Sequence, residues 1–243
     1  MIPCSSTRIS FSNKMTRTIL IFALLVQSFF PGLGSLLATE LSVEENRVLL
    51  IALKMEEAFR EVKDYHCDVE QFSYQEGSAD QHFRFKFYFK KNKKIRVDFD
   101  DPYPQLSLFY LEGEDQVTLL PLRFLRWLRF RLSLDDPRVQ TPAGQRISQT
   151  DMGYFIQFLL TNLRKVSQKE DELEEDGGRV KFVLWAMDYI KGKSLEKYRI
   201  IVSKQYWLPI RIERYDVKGT LLEAISIQNY AINTWISDQI FQP

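Results

Sequence analysis

The sequence predicts an α+β fold in which helices cover one face of an antiparallel β-sheet of eight or more strands. Two blocks of alternating apolar and polar residues, 65–120 and 179–233, are divided by short turns, as in an antiparallel meander. Apolar residues with helical spacing occur before the first block and between the two. The 243 residues contain no tandem repeat, so a single domain is the simplest prediction.

Residues 1–38 predict a secretory signal peptide. Lys14 and Arg17 precede a long apolar stretch, and small residues allow a cut after Ala38. The alternative is a retained membrane anchor, because the stretch approaches spanning length, but a proline and two glycines interrupt its second half and favour cleavage. No cysteine directly follows the cut, so the lipoprotein form of this signal is absent. We expect an exported protein whose single domain occupies residues 39–243.

The charge of that domain excludes a general attraction to polyanions. The chain has a formal net charge of +1, and residues 1–38 hold three bases and no acid, which leaves 30 bases against 32 acids in the remainder. A net charge of −2 cannot draw a protein to nucleic acid unless a basic patch is local. Together with export, this balance predicts no nucleic-acid partner.

The first element of the domain is predicted to be an amphipathic helix. Ser42 and Glu45 form a capping box, which predicts that the helix begins there. Its apolar residues then recur at helical spacing: Val48, Ile51, Ala52, Met55, Phe59 and Val62. This single stripe needs a surface to pack on, and the strands that follow supply one.

The clearest strand of the first block covers residues 82–90. Its apolar side chains alternate strictly with cations and a tyrosine, so one face should carry Phe83, Phe85, Phe87 and Phe89. Nucleic-acid platforms need rings and cations on the same face, whereas this alternation separates them. The following strands should add Val97, Phe99, Leu108 and Tyr110 to the apolar face. A shift of one residue along a strand would turn its side chains to the opposite face.

An Arg-rich segment, 121–134, lies between the two blocks. Arg123, Arg126 and Arg129 recur every third residue beside Trp127, so a helix here would present a basic side to an anionic membrane surface or a partner. The alternative is an ordinary strand or loop with solvated cations.

A second helix should follow over residues 148–166. Thr150 or Asp151 is its predicted N-cap, and Phe155, Phe158 and Leu159 lie on one side.

Motifs for catalysis, metals or cofactors are absent from the sequence. The two histidines, His66 and His82, lack metal-ligand spacing, and no P-loop, nucleophile elbow or dinucleotide fingerprint occurs. Cys67 adjoins His66, but neighbouring residues of a strand point to opposite faces, which predicts a buried structural cysteine. We predict that the protein is not an enzyme and uses no cofactor.

Two uses of the aromatic face remain open from the residues alone. Side chains could fill the interior completely, as in an ordinary core. Alternatively, two helices could be too few to cover so large a sheet, and strong curvature would then leave an apolar cavity between the sheet and the helices.

The ordered set of features resembles the LolA-type outer-membrane lipoprotein carriers and the wider lipoprotein-sorting superfamily. The set comprises the export signal, the first helix, the long strand ending in bases, Asp98–Pro102, Leu208-Pro209, and the stretch from Asn229 to Phe241. The resemblance implies a strongly curved antiparallel sheet, a half-open barrel, wrapped around helices that cover an apolar cavity. It also implies a periplasmic, monomeric carrier that receives lipoproteins from an inner-membrane transporter and passes them to an outer-membrane acceptor.

In this interpretation the acyl chains of lipoproteins, or other lipids, occupy the cavity. Its predicted wall is Phe83, Phe85, Phe87, Phe89, Val97, Phe99, Leu108 and Tyr110, with Phe155, Phe158 and Leu159 from the lid. Family members control the lid through an Arg-Pro pair after the second strand. Here the matching pair is Lys91-Asn92, and a lysine cannot form the bidentate hydrogen bonds of an arginine. The alternative function is an envelope lipid-sensing or protein-interaction module of the same fold, and transient membrane contact through the Arg-rich segment fits either.

Overall fold

A computed structural model describes the backbone of residues 33–74, 80–165, 173–187 and 194–243, and side chains from Arg47 onward except those of 164 and 165. Residues 47–243 form one compact unit, and all the described strands belong to it. Helix α1 spans Leu33–Glu61. Because it passes through Ser42, the predicted capping box is wrong. No helix in the described residues is both long and apolar enough to cross a membrane.

The predicted antiparallel sheet is confirmed and has eleven strands in the described residues. They are β1 (Asp64–Ser73), β2 (Gln81–Lys90), β3 (Lys94–Asp101), β4 (Ser107–Tyr110), β5 (Gln116–Leu120), β6 (Phe130–Ser133), β7 (Leu173–Glu175), β8 (Arg179–Met187), β9 (Leu195–Ser203), β10 (Leu208–Tyr215) and β11 (Leu221–Ile232). Helix α2 (Met152–Lys165) lies between β6 and β7 in the chain.

The sheet joins the two sequence blocks through its first and last strands. Its order is β6-β5-β4-β3-β2-β1-β11-β10-β9-β8-β7, and every neighbouring pair is antiparallel. Because β11 returns to pair with β1, the block that ends the chain extends the sheet of the block that begins it. Strands β6 and β7 form the two edges, so the curved sheet is open, as expected of a half-open barrel.

One face of this sheet carries two apolar clusters. The first joins α1 and α2 to β8, β9 and β10, with Met55, Leu159 and Ile200 fully buried. The second lies on β1 to β5 and includes Tyr65 and Ile95. The two helices therefore pack mainly on the C-terminal half of the sheet.

The Arg-rich segment is not a helix. Residues 121–129 form isolated turns before β6, in which Leu125 N–H donates to Leu122 O at 2.9 Å and Leu128 N–H to Leu125 O at 2.9 Å. The backbone of Arg123 instead donates to the carbonyl of Gln105, 3.0 Å away, in the β3–β4 connection. This tertiary hydrogen bond takes the place of a helical one, so the every-third-residue spacing of the arginines does not indicate a helix.

Candidate functional site

A cavity of about 810 Å³ lies against the N-terminal half of the sheet. The inner faces of β1 to β4 form one side, and the segment from Pro137 to Thr150 with the first turn of α2 forms the other. Ile212 of β10 and Ile225 and Ile227 of β11 complete it. Native interiors rarely leave voids much larger than a water molecule, so a cavity of this size is not a packing defect.

The phenylalanines of β2 form a ladder along the cavity. Phe83, Phe85 and Phe87 line it, whereas Arg84 and Lys86 are exposed on the opposite face. Strand pairing places Phe85 across from Val69 of β1 and Phe87 across from Val97 of β3. Three further predicted wall residues, Val97, Phe99 and Leu108, also line the cavity.

Two predicted wall residues lie beyond the floor of the cavity instead of lining it. Phe89 is 4% exposed and packs against Tyr65, with ring centres 5.1 Å apart, and against Phe59 of α1, at 5.8 Å. Tyr110 is similarly buried in the same cluster. The ladder is therefore closed by α1 at the Phe89 end and open at the Phe83 end.

The predicted lid residues divide between the cavity and the core. Phe155, one turn into α2, lines the cavity. Phe158 and Leu159 belong to the first cluster, where Phe158 lies 5.3 Å from Tyr198 between ring centres. The helical period turns these two side chains toward β8 and β9, so α2 supplies mainly its N-terminal turn to the site.

The actual cover is the segment 137–150, which the sequence patterns did not reveal. Val139 and Ile147 are buried, line the cavity and belong to the same cluster as the β-strand wall. Two short 3₁₀ turns, Pro137–Val139 and Ile147–Gln149, hold them in place. In the sequence, Pro137, Pro142 and Gly144 indicate only that this stretch is irregular. Val139 and Ile147 are isolated apolar residues, so they form no periodic pattern that would predict their burial.

Polar groups gather at the open end of the cavity. Gln81 and Arg138 line it and are exposed, while Gln71 lies buried on the wall nearby. Tyr103 is 55% exposed, and its ring centre lies 6.5 Å from Phe83 and 6.4 Å from Phe99. An apolar interior that opens through a polar and aromatic rim fits an amphiphile whose tail enters and whose head stays near water.

The deep end holds neutral groups. Cys67 is buried in the wall, and burial, with a smaller contribution from the negative charge of Asp68, raises the pKa of its thiol well above the usual value. His66 stacks on Tyr88 on the outer face, with ring centres 5.7 Å apart, so it does not meet the thiol. Tyr65 accepts a hydrogen bond from the backbone N–H of Met152 at 3.3 Å, and burial raises the pKa of this phenol too.

The turn between β2 and β3 reaches the cover through Lys93 and not through Lys91. Lys91 donates from its ammonium to the carbonyl of Arg60 in the last turn of α1. Lys93 donates to the carbonyl of Ser148 at 3.3 Å and lies 3.6 Å from a carboxylate oxygen of Asp151. Asp151, one of the two residues predicted as the N-cap of α2, occupies that position. Its carboxylate accepts a hydrogen bond from Tyr154 N–H at 3.1 Å.

Two of the predicted docking residues, Arg123 and Arg126, have their partners on the outer side of the sheet. Arg123 is 3.5 Å from Asp98, and Arg126 donates to the carbonyl of Gln242 at 3.3 Å. Trp127 is 77% exposed, and Arg129 is exposed beside it. None of these four residues lines the apolar cavity. In the described part of the chain, no group of three or more His, Cys, Asp and Glu side chains could hold a metal ion.

No protein-family model matches this chain, and no curated protein sequence matches it. Solved structures similar to it include a Vibrio parahaemolyticus domain named for outer membrane lipoprotein sorting, with 16% identity, 82% of this chain and 97% of that chain covered, and a TM-score of 0.44. A LolA superfamily protein from Nitrosomonas europaea has 13% identity, 79% and 97% coverage and a TM-score of 0.36. The Mycobacterium tuberculosis lipoprotein LppX has 12% identity, 79% and 98% coverage and a TM-score of 0.45. At these identities and TM-scores, no ligand, partner or role of these proteins is transferred to this chain.

Proposed function

We propose that this protein is a periplasmic carrier that binds acyl chains of lipoproteins, or of other lipids, and moves them toward the outer membrane. One observation carries the proposal, namely the apolar cavity beneath residues 137–150. Its volume of about 810 Å³ falls within the range of about 300–1,000 Å³ that is typical of ligand sites.

The chemistry of the wall favours an apolar chain over a polar ligand. Beside Phe85 and Phe87, the wall residues on the facing strands, Val69 and Val97, are apolar as well, and the polar Gln71 faces Phe83 toward the open end. A polar ligand would lose its hydration there and find few partners, whereas a hydrocarbon chain would gain about 25 cal/mol for each Å² removed from water. Gln81 and Arg138 provide exposed hydrogen-bonding groups at the rim, where a head group or the protein part of a lipoprotein would remain.

The construction of the cover suits reversible binding. The ion pairs of segment 137–150, Arg138 with Asp136 at 2.7 Å and Arg146 with Asp135 at 2.5 Å, are local to this part of the chain. The segment is joined to the wall by the burial of Val139 and Ile147 and by the contacts of Lys93. Two buried apolar side chains hold it less tightly than the whole apolar face of a packed helix would, so this segment can separate from the wall more easily. A carrier needs such a cover, because an acceptor must be able to remove the cargo.

Transfer by this route involves no covalent step. Cys67 is the single thiol in the described residues, and its burial and high pKa leave it without thiolate character. The carrier would receive cargo from an inner-membrane transporter, keep the acyl chains dry while crossing the periplasm, and release them to an outer-membrane acceptor.

The proposal is tested by purifying the protein from the cell envelope without detergent and analysing it by native mass spectrometry and lipid extraction. We expect acyl-containing lipid or lipoprotein in the preparation, with the bound mass lost after solvent extraction. Protein that carries no lipid, and that binds no fluorescent fatty acid after refolding, would contradict the assignment. Capture of a regulatory protein with an empty cavity would favour the sensing module instead.

A further inference from the structure

A second cavity, of about 420 Å³, lies on the outer face of the sheet. Three guanidinium groups line it, those of Arg96 on β3 and of Arg123 and Arg126 in the β5–β6 connection. Phe109, Leu120 and the chain from Ser237 to Pro243 provide the remaining walls. This outer pocket shares no lining residue with the acyl cavity.

Positive charge exceeds negative charge at the outer pocket. Asp98 is 4% exposed, and Arg96 binds its carboxylate through two contacts of 2.8 Å, while Ser107 donates to it at 2.5 Å. Arg123 approaches the same carboxylate only to 3.5 Å. One carboxylate, that of Asp98, therefore lies between two arginines. Its oxygens already accept from Arg96 and Ser107, which are closer to it than Arg123 is.

Arg126 adds a third cation, whose hydrogen-bond acceptor is a neutral group. Its guanidinium donates to the carbonyl of Gln242 at 3.3 Å, and its side chain is exposed. Asp238, the acid in the C-terminal 3₁₀ turn (Asp238–Phe241), is already paired with Lys90 at 2.7 Å and Lys94 at 3.1 Å. Since a guanidinium has five N–H donors, Arg123 and Arg126 retain capacity for an anion.

Large exposed aromatic side chains occur in the same connection as two of these arginines. Phe124 is 70% exposed and Trp127 is 77% exposed. Arg129 and Arg131 are exposed directly after them. Aromatic rings that are left in water beside a cluster of cations match the interface of a membrane, where Trp is favoured and anionic head groups attract Arg.

From this combination we infer that the outer face around Arg96, Arg123, Arg126, Phe124 and Trp127 docks on an anionic phospholipid membrane. The guanidiniums of Arg123 and Arg126 contact head-group phosphates, and the two aromatic side chains enter the interface. The guanidinium of Arg96 stays bound to Asp98 and to the carbonyl of Ile240. Binding that combines charge with apolar insertion is reversible and depends on salt, as a carrier that visits a membrane requires.

The test is co-sedimentation with vesicles of phosphatidylglycerol and phosphatidylethanolamine, compared with phosphatidylcholine vesicles. Wild type and variants carry the same N-terminus, so differences between them report the outer face alone. We expect sedimentation with the anionic vesicles only, and less of it at high salt. Arg126→Glu with Arg129→Glu, and separately Phe124→Ser with Trp127→Ser, should each weaken it by about tenfold or more.

Two matched variants serve as controls. Lys218→Glu reverses an exposed cation in the β10–β11 turn, and Trp235→Ser removes a tryptophan that is 79% exposed elsewhere. Both should sediment as the wild type does, and thermal melts should show that all variants fold. Equal sedimentation with both vesicle types, or unchanged sedimentation of both double variants, would overturn the inference. Absence of any vesicle binding by the wild type would do so as well, and would direct attention to a protein partner.

Discussion

Lys93 places its ammonium 3.6 Å from the buried carboxylate of Asp151, and so joins the β2–β3 turn to the N-terminus of α2. Asp151 is only 2% exposed, and the same lysine also holds the carbonyl of Ser148 within the cover of the cavity. One cation thus stabilises both the helix cap and the last part of segment 137–150. Control of the cover would depend on this contact.

Replacing Lys93 with Met should destabilise the cover. The variant leaves a buried carboxylate without its cation, and we expect a loss of about 1–3 kcal/mol in the free energy of unfolding, with faster hydrogen exchange in residues 137–155. Lys91→Met is the matched control, since that side chain is exposed and its ammonium donates to the carbonyl of Arg60 in α1. Similar exchange in both variants would show that Lys93 does not hold the cover.

A pair of neighbouring substitutions in β2 should separate the two faces of the sheet. Phe85→Gln puts an amide into the acyl cavity, whereas Lys86→Gln changes the adjacent, exposed residue to the same side chain. We expect the first to weaken binding of a fluorescent fatty acid by about tenfold, the equivalent of losing about one to two buried methylene groups, and the second to leave it unchanged. Equal effects would contradict the assignment of faces.

The thiol of Cys67 should report cavity occupancy. Because burial raises its pKa, we expect slow labelling by a small thiol reagent in the folded protein and fast labelling in urea. A bound fatty acid should slow the folded-state reaction further, since Cys67 lines the cavity. The Cys67→Ser variant provides the blank. Labelling that is indifferent to saturating fatty acid would place the ligand elsewhere.

A buried cluster of charges at the inner face predicts how stability varies with pH. Arg214 lies 3.1 Å from Glu196 and 3.4 Å from Glu223, whose carboxylate also accepts from Gln71 at 2.7 Å. Burial raises the pKa of Glu223, although Arg214 and the hydrogen bond from Gln71 oppose the rise. The folded state therefore holds this proton more tightly than the unfolded chain does.

Unfolding free energy should consequently fall as the pH rises above 4.5, the ordinary value for Glu, and through the raised folded value. Urea midpoints across this range should decline less in Glu223→Gln than in the wild type. Glu213→Gln is the control, because the pKa of Glu213 is shifted in the opposite direction. Burial favours a higher pKa for that carboxyl, but hydrogen bonds from Tyr215 and Arg211 outweigh it and the pKa is lowered. A decline that Glu223→Gln leaves unchanged would assign the pH dependence to another group.

The alternation in β2 made its faces predictable. A strand with period-2 contrast has one arrangement that places all its phenylalanines on the inner face, and the structure adopts it, with Phe87 5% exposed and Lys86 exposed on the opposite face. The same reasoning found α2 and the antiparallel meander. The alternation did not predict that Phe89 lies beyond the cavity floor, because this position depends on a contact with Phe59 of α1.

The cover of the cavity could not be predicted from a local pattern. Val139 and Ile147 are single apolar residues in irregular chain, and their burial results from contacts with strands dozens of residues earlier. The Arg-rich segment shows the same limit, because its spacing left a helix and a strand or loop both open, and the structure has the second. A hydrogen bond from Arg123 to Gln105 fixes its backbone, and spacing within a segment contains no information about such a distant acceptor.

The central claim, that an acyl chain occupies the cavity between β1–β4 and segment 137–150, is tested most directly by filling that space. Val69→Phe adds a ring to the cavity wall opposite Phe85, and Glu70→Phe adds the same ring to the other face of β1. With both variants shown to be folded by urea unfolding, fatty-acid titration of Val69→Phe should give a markedly weaker affinity, and that of Glu70→Phe the wild-type affinity. Wild-type affinity in Val69→Phe would contradict the claim.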